Sequence, residues 1–217
     1  MEYKTYSVKY VKALERATGL FILLTGMLVP VLSYQLIGKP VGAPTGIEEP
    51  ASDPLAERAK IEARIEALLQ AKRVSEAQSF VKKVNPSLSW TTVEKIVKLE
   101  QEYAAKYDVP LELGLAVTLQ ESRFRPEVVS YTGCCFGLKQ INFKAHKEDY
   151  SIASHNTLFK KEQNIAIGYK MLADHKKRYG SWDGALRRYY GSTKPEQNLW
   201  YAREVQQKAK MIRGILG

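Results

Sequence analysis

Glu121 is the residue whose type and setting most invite chemistry. It stands near the end of the apolar stretch LELGLAVTLQES and is followed at once by Ser122, Arg123 and Phe124. A carboxyl at the end of an apolar helix, placed in a partly dehydrated cleft, is disfavoured in its ionised form. It then keeps its proton near neutral pH and can hand it to a leaving oxygen. Alone, such a glutamate at a helix end usually reads as solvated surface. Other chemistries are poorly provided for. The three histidines, His146, His155 and His175, lie at no zincin-like spacing. The only cysteines, Cys134 and Cys135, are adjacent, which supplies neither a four-cysteine zinc set nor a disulfide-stapled scaffold. That pair either closes into a strained vicinal disulfide or remains two thiols, the second being favoured because neighbouring cysteines rarely meet disulfide geometry. No metal and no cofactor is expected.

The company that Glu121 keeps sharpens the reading. Glu121, Ser122, Arg123 and Phe124 form a Glu-Ser-x-Phe motif; Gly137, Leu138, Lys139 and Gln140 form Gly-Leu-x-Gln; Asn164, Ile165 and Gly168 form Asn-Ile-x-x-Gly; and Tyr189, Tyr190 and Gly191 stand where a Tyr-Asn-Gly motif would. In this order, over roughly residues 91 to 210, the sequence resembles the lytic transglycosylases of the soluble-lytic-transglycosylase and goose-type-lysozyme superfamily. The resemblance implies a lysozyme-like fold. It also implies peptidoglycan glycan strands as partner, with cleavage of the β-1,4 bond between N-acetylmuramic acid and N-acetylglucosamine and closure of a 1,6-anhydro ring. Glu121 would serve as general acid and then as general base. It further implies that Ser122 orients the acid or a substrate acetamide, that Gln140 hydrogen-bonds in the cleft, and that Tyr189 places its hydroxyl near Glu121. Phe124, Leu138 and Gly168 read as packing. Two departures stand out. Tyr190 replaces the usual Asn, so an amide contact is lost or replaced by stacking. Lys139 replaces the usual Met in a loop that is one residue longer than expected, which puts the cleft contacts in question.

The elements that must position these residues are mostly helical by pattern. Thr91 and Glu94 have capping-box spacing, which predicts a helix from Thr91 through VEKIVKLEQEYAAKY. Asp108 is expected to cap the next helix, with Pro110 in its first turn. SYTGCCFGLKQ, from Ser130 to Gln140, reads as a short β-hairpin or loop, and helical periods return over 160–179, 182–190 and 199–215. The fold class is therefore mainly α, with a minimal β-hairpin, over residues 86–217.

Before that domain, residues 17–38 carry no charge. They are about long enough to cross a bilayer as one helix, Pro30 notwithstanding. Lys4, Lys9, Lys12 and Arg16 precede this run, which favours a cytoplasmic segment at 1–16 and a catalytic domain outside the cytoplasm, in the periplasm. A cleaved secretory signal is the competing reading. Residues 39–54 read as a Pro- and Gly-rich linker. Residues 55–85, with Leu55, Ile61, Ile65 and Leu68 at helical spacing, read as a stalk helix. The inner membrane, or a virion membrane for a phage protein, is thus the expected location, with a secretion, conjugation or phage assembly as a possible partner.

The 217 residues carry 33 Lys plus Arg against 23 Asp plus Glu, and the excess lies in the C-terminal half. Lys176, Lys177, Arg178, Arg187 and Arg188 either meet carboxylates of wall peptides or form a solvated face. No nucleic-acid fingerprint accompanies them, and nucleic acid is not expected as a partner. Two rivals remain. A hydrolytic lysozyme of the same fold needs a second carboxylate, for which Glu127, Glu148 and Asp149 are the nearest in sequence. A wall-binding component with a degenerate cleft needs none.

Overall fold

The computed structural model describes residues 53–217. The segment expected to span a membrane, residues 17–38, lies outside the described residues, as do the cytoplasmic segment and nearly all of the linker. Among the described residues no helix is long and apolar enough to cross a membrane.

The first helix, α1 (Pro54–Val84), starts where Asp53 Oδ1 accepts the main-chain N–H of Leu55 at 3.0 Å and proline occupies the first turn. Leu55, Ile61, Ile65 and Leu68, the stripe seen in the sequence, are all exposed. Burial begins further along, where Ala77, Phe80 and Val81 enter the core against α2 and α7. The last turns of the stalk segment are therefore part of the same hydrophobic core as the residues after 86.

Helix α2 (Trp90–Tyr107) begins one residue before the expected start. Its cap is Ser89, whose Oγ accepts from Thr92 N at 3.2 Å, and Thr91 lies already inside the helix. Asp108 also differs from expectation. It ends α2 in the left-handed region, at φ 53°, with its N–H on Ala104 O, and α3 (Leu111–Ser122) starts after Pro110 with no side-chain cap. A short polar side chain tolerates left-handed backbone better than most, which explains the exchange of roles.

Helix α3 is buried along most of its length, from Leu113 to Thr118 and again at Ser122. It ends abruptly because Arg123 and Phe124 both adopt positive φ, 53° and 59°, a conformation that costs roughly 1–2 kcal/mol for each non-glycine residue. Phe124 offsets this by complete burial, edge-on to Phe80 at 6.0 Å, and its carbonyl accepts from Asn85 Nδ2 at 3.2 Å. The sharp turn directly after Glu121 is held by that buried ring.

The hairpin forms slightly later than predicted. Strand β1 (Cys135–Phe136) pairs antiparallel with β2 (Ile141–Asn142), in the register Cys135 with Asn142 and Phe136 with Ile141. The turn between them uses positive φ at Gly137 and Gln140. After a four-residue helix, α4 (Phe143–His146), and a 3₁₀ helix over His155–Phe159, the chain enters α5 (Lys161–Tyr179), α6 (Trp182–Tyr190) and α7 (Pro195–Leu216). Asn164, in the first turn of α5, ties the hairpin down. Its Oδ1 accepts from Lys139 N at 2.7 Å, and its Nδ2 donates to Phe136 O and Leu158 O, each at 2.8 Å.

The turn delivers Lys139 into the core, where it is fully buried. Its ammonium donates to Glu100 Oε2 on α2 at 3.0 Å and to Gly114 O on α3 at 2.8 Å, and it lies 4.4 Å from the ring centre of Tyr169 on α5. Glu100 also accepts from Tyr169 Oη at 2.7 Å and from Thr118 Oγ1 at 2.6 Å. Two glycines make the room: a Cβ on Gly114 would lie 1.8 Å from Tyr169 Oη, and one on Gly168 would lie 2.6 Å from Lys139 Cγ. The pairing of Lys139 and Glu100, remote in sequence, thus joins α2, α3, α5 and the hairpin. Lys139→Met strands the Glu100 carboxylate and is expected to lower unfolding free energy by about 3–5 kcal/mol. Lys139→Met with Glu100→Gln should recover most of it, as read by urea denaturation.

Candidate active-site cleft

Glu121, at the C-terminal end of α3, faces a cleft of about 370 Å³. Cys135, Gln140 and Asn142 of the hairpin line one side, and His146 and Asp149 lie beyond them. Arg188, Tyr189 and Tyr190 of α6 line the other side. Burial is the largest influence on Glu121 and raises its pKa to about 7, although the Tyr201 hydroxyl and the Lys139 ammonium both pull it down. The carboxyl is therefore poised to hold or release a proton near neutrality.

Tyr201, buried on α7, donates its hydroxyl to Glu121 Oε1. The rings of Tyr190 and Tyr189 lie nearly parallel to it, at 4.9 Å with 20° between planes and at 6.5 Å with 10°. Three tyrosines thus stand beside one carboxyl. Tyr189, expected to place its hydroxyl near Glu121, lines the same cleft and donates that hydroxyl to the main-chain carbonyl of Lys139 at 2.8 Å, while the hydroxyl bonded to Glu121 itself is that of Tyr201. Tyr201 was not singled out because it falls on the regular buried stripe of α7 with Ala202, Val205 and Ala209, where an aromatic reads as core.

The remaining candidates separate. Gln140 lines the cleft, but its Nε2 donates to Gly137 O at 2.9 Å and Val128 O at 3.1 Å. Its amide hydrogens hold the turn, which leaves its carbonyl oxygen as the group to offer a ligand. Tyr190 lines the cleft and is 42% exposed, in keeping with stacking in place of an amide contact. Ser122 is different: its side chain is buried, its Oγ donates to Thr118 O at 3.1 Å, and it is absent from the cleft lining. One residue along a helix turns the side chain by about 100°, so Ser122 faces the core when Glu121 faces the cleft. Lys139 does not enter the cleft either.

Of the three other carboxylates, only Asp149 lines the cleft. Glu127 borders a separate groove with Asn85 and Arg125, and Glu148 is an exposed partner of Lys147 at 3.3 Å. Among the basic residues, Arg187 is held by Asp183 at 2.7 Å and Lys176 donates to Gly180 O at 2.7 Å, whereas Arg188 reaches the cleft. Cys134 and Cys135 are free thiols with their sulfurs 2.9 Å apart. Burial pushes the Cys135 thiol up to about 12, and hydrogen bonds from Cys135 and Thr132 pull Cys134 down. Among the described residues no three His, Cys, Asp or Glu side chains converge as a metal set would.

The raised pKa of Glu121 has a consequence for stability. Its folded value, about 7, exceeds the ordinary 4.5, so the folded state binds the extra proton. The contribution is fully present below about pH 4.5, fades as pH rises through 7, and is lost above it. Glu121→Gln, which is immune to this loss, should match wild type near pH 4. Above pH 7.5 it should be the more stable form by up to about 3 kcal/mol, as measured by thermal unfolding across pH.

The geometry agrees with comparison to known families. The family model described as Transglycosylase SLT domain matches residues 98–211, more than half of the chain. The match takes in Glu121, the hairpin, Tyr189, Tyr190 and Tyr201. No curated protein matches the chain. The mainly helical architecture with its two-stranded sheet fits the lysozyme-like fold of that family. A cleft with one desolvated glutamate suits a peptidoglycan-acting function of the lytic transglycosylase kind, and the chain belongs to the transglycosylase SLT-domain family.

Proposed function

We propose that this chain is a peptidoglycan lytic transglycosylase in which Glu121 acts first as general acid and then as general base. The observation that carries this reading is the Glu121 carboxyl itself, protonatable near neutrality in a cleft large enough for a sugar ring. Protonated Glu121 donates to the glycosidic oxygen between N-acetylmuramic acid and N-acetylglucosamine, and positive charge builds on the departing sugar carbon. The resulting carboxylate, steadied by the Tyr201 hydroxyl, takes a proton from the 6-hydroxyl of the same sugar. That oxygen closes the 1,6-anhydro ring. An internal hydroxyl at high effective molarity replaces the second carboxylate that most glycosidases require. Gln140 and Tyr190 contact the glycan, and Tyr189 holds the hairpin turn against α6.

Asp149 supports a second reading. As another carboxylate in the cleft lining, it would activate a water and make the product a hydrolysed reducing end. Lys139, by contrast, gives no support to a degenerate, wall-binding cleft, because its side chain is occupied in the core. Residues 17–38 are proposed to anchor the chain in the cytoplasmic membrane with the catalytic domain outside the cytoplasm, where it opens the wall for an envelope-spanning or phage assembly.

Digestion of purified sacculi followed by mass analysis tests the chemistry. The wild-type chain is expected to release anhydro-ended fragments, each lighter by one water than hydrolysed ones. Glu121→Gln should cut their rate by about 10²- to 10⁴-fold, and Asp149→Asn should leave the anhydro ends in place. Reducing ends that vanish in Asp149→Asn would establish the hydrolase instead. For the anchor, the chain should stay with membranes through alkaline carbonate extraction and lose that retention when residues 1–38 are removed.

A further inference from the structure

The proposed glycan chemistry makes no use of Cys134 and Cys135, which open the hairpin at the rim of the cleft. Successive side chains of a regular strand point to opposite faces, yet these two sulfurs lie 2.9 Å apart, and both thiols are free and half-buried. Their surroundings differ. Cys134 directly follows the exposed loop tip Tyr131, Thr132 and Gly133, and its sulfur lies 3.0 Å from Thr132 Oγ1 and 3.6 Å from Ser130 Oγ. Cys135 faces the cleft, whose lining it shares with Glu121, Ser130 and Asn142. Hydrogen bonds from Cys135 and then Thr132 lower the pKa of Cys134. Burial first, and the Cys134 neighbour second, raise that of Cys135 to about 12. An accessible sulfur ringed by hydrogen-bond donors, touching a second thiol that keeps its proton, is what thiol–disulfide exchange requires.

We propose that Cys134 and Cys135 form a thiol–disulfide exchange site, in which Cys134 attacks a small disulfide, Cys135 resolves the product, and closure of the pair reshapes the hairpin wall of the cleft. Cys134 releases its proton to solvent and its thiolate attacks one sulfur of the reagent. A mixed disulfide forms as the S–S bond of the reagent breaks and one thiolate leaves. Cys135 then gives up its proton, attacks the Cys134 sulfur and displaces the second thiolate. The two leaving groups take up the two protons, so the cysteines are oxidised by two electrons and the small disulfide is reduced to two thiols. Capping Cys134 in the first step removes the charge that opposes ionisation of Cys135, which eases the second. Adjacent Cα atoms across a trans peptide are about 3.8 Å apart, less than a relaxed disulfide spans. The closed ring is therefore readily reopened by thiols, which suits exchange better than support of the fold. Closure must turn the peptide between the two residues, and that peptide is tied on both sides. Phe143 N donates to Cys134 O at 3.2 Å, Ser130 N to Cys135 O at 3.0 Å, and Cys135 N to Ser130 Oγ at 3.1 Å. Turning it disturbs Ser130 and Cys135 of the cleft lining together. The consequence for cleavage rests on the lytic function proposed for Glu121; the exchange itself does not.

Mass spectrometry of the full chain treated with oxidised glutathione at neutral pH, quenched by acid and digested, tests the site. The wild-type peptide carrying both cysteines is expected to lose two hydrogens by way of a glutathione adduct. Cys135→Ser should stop at the adduct, and Cys134→Ser should form one at least about ten-fold more slowly. Closed wild type should digest sacculi about ten-fold more slowly than the reduced chain and recover with dithiothreitol, whereas Cys134→Ser should keep one rate under both conditions. Two independent adducts without closure, or equal rates in the two serine variants, overturn the exchange site. Closed wild type that is retained on sacculi and cleaves them like the reduced chain overturns its coupling to the cleft. Closure that weakens retention on sacculi, in a chain that cleaves no glycan in either state, upholds the inference and removes the lytic reading instead.

Discussion

Lys139 and Glu100, far apart in the sequence, meet in the interior with the ammonium and both carboxylate oxygens hydrogen-bonded, and much of the molecule is arranged around that meeting. Glu100 comes from α2, Gly114 and Thr118 from α3, Tyr169 and Gly168 from α5, and Lys139 from the tip of the hairpin. A hairpin of two residues per strand has little stability by itself. Here its turn is pinned from within by an ion pair and from its edge by Asn164, which binds Lys139 N, Phe136 O and Leu158 O. The hairpin wall of the cleft is thereby fixed relative to the helix that bears Glu121. Glycines at 114 and 168 are required not for their backbone freedom but because any side chain there would occupy the space of Tyr169 or Lys139.

The state of Glu121 is a balance of opposing influences. Burial resists its charge, and the Tyr201 hydroxyl and Lys139 ammonium favour it, with burial the largest of the three. The result lies close to neutrality, where a carboxyl can act on both halves of a proton-transfer cycle. A more enclosed site without those partners would hold the proton too firmly, and a more open one would release it at ordinary carboxylate pH. The aromatic stack of Tyr189, Tyr190 and Tyr201 connects this balance to geometry. Two of the rings line the cleft and the third binds the acid, so the surface that would meet a sugar also orients the group that would protonate it.

Local strain serves the same end. Arg123 and Phe124 adopt left-handed backbone directly after the helix that ends in Glu121 and Ser122. Burial of Phe124 against Phe80 of α1 secures the turn, which gives the end of the stalk segment a part in shaping the site despite its distance from the chemistry.

The sequence by itself determined the helical character of the domain, the position of the short hairpin to within a few residues, and Glu121 as the candidate acid. The helices and the hairpin are marked locally, by apolar period and by turn-forming residues, whereas Glu121 stands out through the four motifs that surround it in order. Local pattern misplaced the caps, because Ser89 and Thr91 are equally good caps on paper and Asp108 can end one helix or begin the next. The resemblance drew Ser122 toward the site, but a motif says nothing of the 100° that separates neighbouring side chains on a helix. Only the tertiary structure decided that Tyr201, eighty residues from Glu121, holds the acid, that the Tyr189 hydroxyl is tied to the hairpin, and that Lys139 turns inward. A lysine reads as solvent-facing until a carboxylate from another helix is placed against it, for a buried charge depends on partners that no stretch of neighbouring residues contains.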